Sequence, residues 1–281
     1  MQKPIYLIKA SGERELWDSR KLERSLRAAK AGDELAKEIV RHIEKDLWDG
    51  LRTSEIYAHA FALLKRYDRP IAAEYSLRKS LAELGPSGFP FERFVAKLLE
   101  ARGYRTEVGK IIRGACVSHE VDVIAEKDDE RILVEAKFHN SSEIKSDVKV
   151  ALYVAARFDD IGKRMRREED APKRFTHAWL ITNTSFTSQA IKYGACAGLA
   201  LTGWNHPKGR TLQDLVQESR MHPVTCLTTL SAPQKSELLS EGIVLCRDIV
   251  KDTSPLSRIG IGKARIAAVV KEGERLCPAT T

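Results

Sequence analysis

The stretch HEVDVIAEKDDERILVEAKFH, from His119 to His139, decides how the rest of the chain is organised. Apolar and charged residues alternate in two short runs, 120–126 and 131–137, and this period of two predicts two strands. The polar residues 127–130 lie between the runs and predict a tight turn. The stretch is therefore expected to form an antiparallel hairpin.

The register of this hairpin decides which side chains meet. Folding about the polar tip places Asp122 opposite Glu135, and Glu120 opposite Lys137. Side chains alternate between the two faces of a strand, so one face of the hairpin is predicted to be apolar. Its members are Val121, Val123, Ala125, Ile132, Val134 and Ala136. The other face gathers Asp122, Glu135 and Lys137, with Glu120 at its edge.

Two carboxylates that face each other across a strand pair repel and destabilise it. A divalent cation between Asp122 and Glu135 would remove that penalty, and hard oxygen ligands suit Mg²⁺ and Mn²⁺. Lys137, on the same face, would lie beside the metal and any phosphate that it holds. The pattern indicates a metal-dependent phosphodiesterase site. The alternative is a solvated strand face on which charges merely alternate.

Asp122, followed by Glu135-Ala136-Lys137, resembles the PD-(D/E)xK nuclease signature in its Mrr-like restriction endonuclease branch. The upstream segment GFPFERFVAKLLEARGYRTEV resembles the helix that opens that domain, with Glu92 at the position of its glutamate. The downstream segment LITNTSFTSQAIKYG resembles the strand, turn and helix of the same branch. Val121 stands where the signature has proline.

The resemblance spans residues 88–205 and implies an α/β fold, a restriction-endonuclease-like mixed sheet flanked by helices. It implies Asp122 and Glu135 as ligands of Mg²⁺ or Mn²⁺, with Lys137 and Glu92 completing the catalytic set. Between the hairpin and the next strand, a helix is expected over residues 147–158, with Val150, Leu152, Val154 and Ala155 buried. The basic run that follows is expected to contact a phosphate backbone; it contains Lys163, Arg164, Arg166, Arg167, Lys173 and Arg174.

The first 86 residues read as a strand pair followed by amphipathic helices, one of them from Pro70 to Leu84 and another capped by Thr53 or Ser54. The pattern LIKASGERELWDSRKLERSLRAA, with the later LRTSEIYAHA and AAEYSLRK, resembles the ATP-cone, a regulatory nucleotide-binding module. The resemblance implies ATP or dATP as an effector. It assigns phosphate contacts to Lys9 and Lys21, polar contacts to Glu15 and Asp18, and the base and ribose to Thr53 and Tyr57. The alternative is a cone that serves packing or assembly, in a monomer or a homo-oligomer.

Residues 209–281 change character and predict a small helical domain after the nuclease domain of 87–208. The segment LSRIGIGKARIAAVV resembles a helix-hairpin-helix, whose Gly260-Ile261-Gly262 turn would offer backbone N–H groups to DNA phosphates. The preceding LTTLSAPQKSELLSEGIVLCRDIV resembles a first copy without the glycine turn. The alternative is a helical cap that packs on the nuclease domain.

Composition bounds the choice of partner. The 281 residues are 43% hydrophobic and 31% charged, with a net charge of +8, which favours a polyanion. A membrane partner is not favoured, because the sequence shows no basic amphipathic helix with an aromatic face. No apolar run is long enough to span a bilayer. The five scattered cysteines indicate reduced, buried thiols, and we expect a cytoplasmic protein without a signal peptide.

The sequence thus predicts a metal-dependent DNA endonuclease that ATP or dATP regulates. One alternative has the same fold but little nuclease activity, and is a catalytically weak, nucleotide-sensing DNA-binding regulator. Another is a nuclease that acts on RNA, because phosphate contacts do not read the sugar.

Overall fold

The computed structural model describes residues 4–167 and 174–278. The N-terminal part is a short antiparallel strand pair followed by five helices, of which the first four enclose an apolar core together with the strand pair. Its elements are β1 (Tyr6–Ile8), β2 (Arg14–Leu16), α1 (Ser19–Ala28), α2 (Asp33–Glu44), α3 (Thr53–Tyr67), α4 (Arg69–Tyr75) and α5 (Leu77–Ala82). A strand pair that leads into a helical bundle is what the sequence predicts.

Two helix boundaries in this part differ from the expectation. The N-cap of α3 is Arg52 and not Thr53 or Ser54, because the Arg52 backbone N–H is already bound by the Glu55 carboxylate at 2.9 Å. The single helix expected from Pro70 to Leu84 is two helices that meet at Ser76. The Ser76 hydroxyl donates to the Ala73 carbonyl at 3.0 Å, a local bond that competes with a continuous helix.

The central part is a mixed five-stranded sheet with helices on both faces. Its elements are α6 (Phe89–Glu100), β3 (Arg105–Arg113), β4 (Ser118–Lys127), β5 (Glu130–Lys137), β6 (Lys145–Ser146), α7 (Val148–Arg167), β7 (His177–Thr182), β8 (Ser185–Phe186), α8 (Ser188–Ala197) and β9 (Ala200–Thr202). The strand order is β3-β4-β5-β7-β9, and β6 and β8 form a separate parallel pair. Strands β3, β4 and β5 are antiparallel, whereas β5, β7 and β9 are parallel. The predicted mixed α/β architecture is confirmed.

The hairpin register is as predicted, since Val123 pairs with Val134 and Lys127 pairs with Glu130 across the tip. The apolar face is not entirely as predicted, because Val121 packs with α7 and α8 while Val123 packs with α6. The change of side coincides with a distortion of the neighbouring strand, where Gly109, opposite Asp122, has φ of +63° and is missing from the paired residues of the β3–β4 ladder.

Helix α7 is longer than expected and continues to Arg167. Of the four residues predicted to be buried, Val154 is buried, Val150 and Ala155 are partly buried, and Leu152 is exposed. The buried residues of α7 are Ala151, Val154, Arg157, Ile161 and Met165. Lys163, Arg164, Arg166 and Arg167 of the basic run therefore belong to this helix, Arg174 is exposed, and Lys173 lies outside the described residues.

The C-terminal part is helical and packs on the sheet domain. Its elements are α9 (Leu212–Ser219), a 3₁₀ turn (Val224–Cys226), α10 (Ala232–Ser240), α11 (Cys246–Lys251), α12 (Ser254–Arg258) and α13 (Lys263–Leu276). These helices share one continuous apolar core with α5, with α6 and with one face of the sheet. The packing expected of a helical cap is thus observed, whereas the predicted domain boundaries stay predictions.

A buried polar network joins the N-terminal and C-terminal parts. Glu74 on α4 accepts from Lys30 at 2.9 Å and from Gln217 at 2.9 Å, and its carboxylate lies 3.0 Å from His222 Nε2. The Thr225 hydroxyl donates to the Ser80 carbonyl at 2.7 Å. Buried polar groups need such partners, so this network fixes how the two parts meet.

Two compositional expectations have structural outcomes. Among the described residues, no helix combines the length and the apolar character that a membrane span requires. Cys226, Cys246 and Cys277 are buried as expected, but Cys116 and Cys196 are exposed, so the expectation of buried thiols is wrong for these two.

Candidate active site

The predicted acidic pair lies where the sheet changes from antiparallel to parallel pairing. The paired residues of the hairpin end at Val123 and Val134, and the next residues outward are Asp122 and Glu135. The Asp122 Oδ2 atom accepts a hydrogen bond from the Ala136 backbone N–H at 2.8 Å. In open sheets with parallel strands, ligands bind beyond the carboxyl ends of those strands. Asp122 and Glu135 lie beside that end of β5.

Both carboxylates titrate abnormally, and the cause is burial together with each other's charge. The pKa of Glu135 is raised to about 7, first by burial and then by the negative charge of Asp122. Burial also raises the pKa of Asp122, against the opposing effect of its hydrogen bond from Ala136. A partly buried pair of carboxylates whose pKa values are raised is a set of hard oxygen donors suited to a divalent cation.

Glu92 approaches the same site from α6, which covers the face of the sheet opposite to α7 and α8. Its pKa is raised to about 7, first by partial burial and then by Asp122 and Glu120. The structure therefore brings together three of the predicted catalytic carboxyls, Glu92, Asp122 and Glu135. Glu120 is exposed at the edge of this group, as predicted.

Arg157 is a site residue that the sequence interpretation missed. It lies on the buried face of α7 with only 7% of its surface exposed, and its guanidinium is ion-paired with the Glu135 carboxylate. The same guanidinium donates to the Tyr153 hydroxyl at 2.7 Å and lies over the Tyr153 ring. The spacing of Ala151, Val154 and Ile161 places residue 157 on the same helical face, and this signal would have identified it.

Lys137 is partly exposed at the end of β5, and its charge lowers the pKa values of both Asp122 and Glu135. It is therefore within electrostatic reach of the pair, as predicted.

The histidines nearby have other partners. His139 Nε2 lies 3.0 Å from the Ser146 hydroxyl, and His119 Nε2 lies 2.8 Å from Asp160. Both histidines therefore have polar partners within the protein.

Five of the six residues expected to hold a nucleotide line one open pocket in the N-terminal part. The pocket has a volume of about 190 Å³, and these residues are Glu15, Asp18, Lys21, Thr53 and Tyr57. Its apolar lining includes Trp17, Ile56 and Tyr75. The sixth residue, Lys9, does not line this pocket, but its ammonium lies 3.7 Å from the carboxylate of Glu15, which does.

The charges of this pocket are already matched within the protein. Lys21 is ion-paired with Glu15, and Lys9 lies 3.0 Å from Glu13. The Tyr57 ring stacks on Tyr75, with centroids 5.0 Å apart, and burial raises the pKa of the Tyr57 hydroxyl. A nucleotide phosphate would therefore have to exchange with carboxylates for the two lysines.

The C-terminal segment forms the hairpin that its sequence predicts. Helices α12 and α13 are joined by Gly260-Ile261-Gly262, in which Ile261 is buried, Gly260 has φ of +75° and both glycines are exposed. The left-handed conformation of Gly260 is one that glycine adopts without steric cost. The preceding pair α10 and α11 also turns through a left-handed glycine, Gly242 (φ +80°), which the prediction of a copy without a glycine turn did not anticipate.

Comparison with known proteins supplies the family. A family model described as restriction endonuclease matches residues 85–204, which include the acidic pair. A second one, described as AF1548-like, C-terminal, matches residues 222–277. An uncharacterized protein of Archaeoglobus fulgidus is 36% identical over 183 residues, which are 65% of this chain and 99% of that relative. The chain belongs to the AF1548-like family.

The family likeness extends to a solved structure. The crystal structure of the protein of unknown function AF1548 matches 69% of this AF1548-like chain and 100% of its own, with 34% sequence identity and a TM-score of 0.55. The restriction endonuclease domain and the AF1548-like C-terminal domain both begin beyond residue 84. The likeness of the preceding residues to an ATP-cone therefore stays a prediction from their sequence pattern.

Proposed function

We propose that this protein hydrolyses DNA phosphodiester bonds with a divalent metal ion, Mg²⁺ or Mn²⁺, held by Asp122 and Glu135. One observation carries the proposal. Two partly buried carboxylates lie on adjacent strands of a restriction endonuclease domain, just beyond the last paired residues of the hairpin; burial raises both pKa values, and the charge of Asp122 raises that of Glu135 further. That arrangement costs stability without a cation and is the donor set that a hard cation prefers.

The bound metal ion would polarise the scissile phosphate and lower the pKa of an attacking water. The protein's own residues orient the metal ligands and stabilise the charge that develops on the phosphate. The Ala136 N–H fixes one oxygen of Asp122, and Lys137 supplies a positive charge for the charge that builds on the phosphoryl oxygens. Glu92, with a pKa of about 7, holds or releases a proton near neutral pH, as a general acid or base must.

DNA is the substrate that the restriction endonuclease domain and the charge of +8 favour. The basic residues 163–167 of α7 and the exposed glycine turn before α13 are the phosphate contacts in this proposal. They lie on elements that pack against the sheet domain. Contacts of this kind position a duplex and carry no base sequence.

The N-terminal pocket is the site of regulation in this proposal, with ATP or dATP as the effector. Aromatic side chains in the pocket suit a base, and Lys21 in its lining, with Lys9 beside Glu15, suits phosphates. Helix α4 of the same part reaches the C-terminal domain through Glu74. In this proposal, nucleotide binding would shift the orientation or assembly of the catalytic domains, by no more than its differential affinity for the two states.

The experiment is cleavage of supercoiled plasmid by the purified full chain. The proposal expects nicked or linear product with Mg²⁺ or Mn²⁺, no product with a chelator, and a rate that ATP or dATP changes. A protein that binds plasmid and leaves it intact with either metal would instead support the DNA-binding regulator. Single-stranded RNA in a parallel reaction separates DNA from RNA as the substrate.

A further inference from the structure

We infer that the N-terminal part carries a second metal site, formed by His42, Asp46 and His59, for a transition-metal ion such as Zn²⁺. One donor atom of each of these side chains lies within 4.8 Å of the donors of the other two. The site is separate from the carboxylates of the sheet domain, and it is independent of the proposed nuclease activity.

The arrangement of α2 and α3 brings these side chains together. His42 lies near the end of α2, and Asp46 follows four residues later in a turn held by the bond from Asp46 N to Ile43 O at 3.0 Å. Residues four apart on a helical turn lie on the same face. His59 comes from α3, which packs on α2 through the buried Ile43 and Ile56. Both helices are therefore fixed by the apolar core beneath the cluster.

No direct hydrogen bond accounts for the closeness of the three groups. His59 Nδ1 lies 3.9 Å from Asp46 Oδ2, which is beyond a hydrogen bond, and the two imidazole rings meet edge to face with centroids 5.3 Å apart. The half-buried pair of His119 and Asp160 differs, because its atoms are 2.8 Å apart. The spacing at His42, Asp46 and His59 leaves room for an ion between the donors.

The donor set and the spacing select the class of metal. Two imidazoles and one carboxylate suit Zn²⁺ and its neighbours in the transition series better than Mg²⁺ or Ca²⁺. Tetrahedral coordination with bonds of about 2.0–2.2 Å places donors roughly 3.3–3.6 Å apart. The 3.9 Å between His59 Nδ1 and Asp46 Oδ2 exceeds this by about half an ångström, a distance that rotation of exposed side chains closes. Asp46 and His42 are exposed, and His59 is partly exposed.

The fourth coordination position stays open to water. Glu55 lies four residues before His59 on α3, but its carboxylate accepts the Arg52 backbone N–H at 2.9 Å and thereby caps the helix. Three protein ligands with one open position are typical of zinc sites that exchange a ligand. A metal at this position would join α2 to α3, the helix that also carries Thr53 and Tyr57 of the neighbouring pocket.

The test is Co²⁺ binding, followed by visible absorption, to untagged full-length protein with Asp122→Asn and Glu135→Gln, which removes the other candidate metal site. We expect one equivalent of Co²⁺ to bind and to be displaced by Zn²⁺. His42→Ala and His59→Ala should each weaken binding by about tenfold or more, since even outer-shell changes cost about 10–100-fold in metal affinity. His177→Ala, a histidine of the sheet domain, is the matched control and should bind as the parent does.

Trp48 provides a second readout because it lines the same small cavity as Asp46 and His59 and is 56% exposed. Paramagnetic Co²⁺ should quench its fluorescence, and Trp48→Phe should abolish the quenching without changing the affinity. Circular dichroism verifies that the exposed substitutions leave the fold intact. The proposal is overturned if no stoichiometric Co²⁺ binding occurs, or if binding persists in both His42→Ala and His59→Ala.

Discussion

The guanidinium of Arg157 is ion-paired with the carboxylate of Glu135, inside the group of side chains that we propose to hold a metal ion. Arg157 is buried, and its other nitrogen donates to the Tyr153 hydroxyl at 2.7 Å. Its positive charge partly offsets the repulsion between Glu135 and Asp122. Arg157 thus supplies a positive charge to the carboxylate that a metal ion would also bind. The arginine and the metal ion must therefore compete for the Glu135 carboxylate or share it.

Replacement of this arginine tests the competition. Arg157→Gln should lower the thermal stability of the metal-free protein, because loss of one partner of a buried ion pair costs about 3–5 kcal/mol. Mg²⁺ should restore more stability to this variant than it adds to the wild type, since a metal ion then supplies the missing charge. Thermal melts with and without Mg²⁺ measure both effects.

The control for this variant is Lys163→Gln, which removes an exposed ion pair with Asp159 on the same helix. An exposed pair contributes little, so its melting temperature and its response to Mg²⁺ should match those of the wild type. An equal response to Mg²⁺ in Arg157→Gln and in the wild type would contradict the idea that the arginine stands in for a metal ion.

The acidic pair predicts an unusual dependence of stability on pH. The pKa of Glu135 is raised from its usual 4.5 to about 7, so the folded state holds this proton more tightly than the unfolded state does. The resulting stabilisation is fully present below about pH 4.5 and is lost as the pH rises through about 7. Asp122→Asn removes the facing charge and should therefore stabilise the metal-free protein at neutral pH, by on the order of 1 kcal/mol.

Chemical denaturation in a chelator at several pH values measures this effect. Asp129→Asn, at the exposed tip of the same hairpin, is the matched control and should leave the profile unchanged. A loss of stability at neutral pH in Asp122→Asn would mean that the two carboxylates do not strain the hairpin.

Nucleotide binding in the N-terminal pocket is tested by calorimetry. Lys9→Ala combined with Lys21→Ala should remove binding of ATP and dATP together with any nucleotide effect on cleavage, because the two ammonium groups are the cations assigned to the phosphates. Lys37→Ala, an exposed lysine of α2 paired with Glu34, should bind as the wild type does. If the wild type binds neither nucleotide at millimolar concentration, the pocket serves packing and regulation lies elsewhere.

DNA contact is tested by the salt dependence of binding. Removal of the C-terminal domain is unsuitable, because its apolar residues share a core with α6 and the sheet. Point substitutions avoid this problem. Lys263→Gln, at the start of α13, and Arg166→Gln, on α7, should each reduce the slope of log K against log salt by about 0.9, the value for one lost phosphate contact. An unchanged slope in both variants would assign these residues to solvated surfaces.

The sequence was sufficient for the register of the hairpin because its two alternating runs fold back about a single polar tip. It was insufficient for Arg157, which a charge count groups with the basic residues after it. Whether that arginine faces solvent or the core depends on where α7 packs, and packing is a long-range property. The break at Gly109 and the cap at Arg52 likewise follow from contacts with neighbouring segments, which periodicity does not contain.

The central claim is that Asp122 and Glu135 hold the metal ion that cleaves DNA. Lys137→Ala should lose turnover more than metal affinity, since lysine is not a metal ligand. Replacement of the two carboxylates tests the claim directly. The most direct measurement is the initial rate of Mg²⁺-dependent cleavage of supercoiled plasmid by Asp122→Ala, by Glu135→Ala and by the control Asp129→Ala. Asp122→Ala and Glu135→Ala should show no Mg²⁺-dependent product while they retain their fold and their DNA binding, and Asp129→Ala should cleave at the wild-type rate. Cleavage at the wild-type rate by either Asp122→Ala or Glu135→Ala, in protein free of contaminating nuclease, would contradict the account.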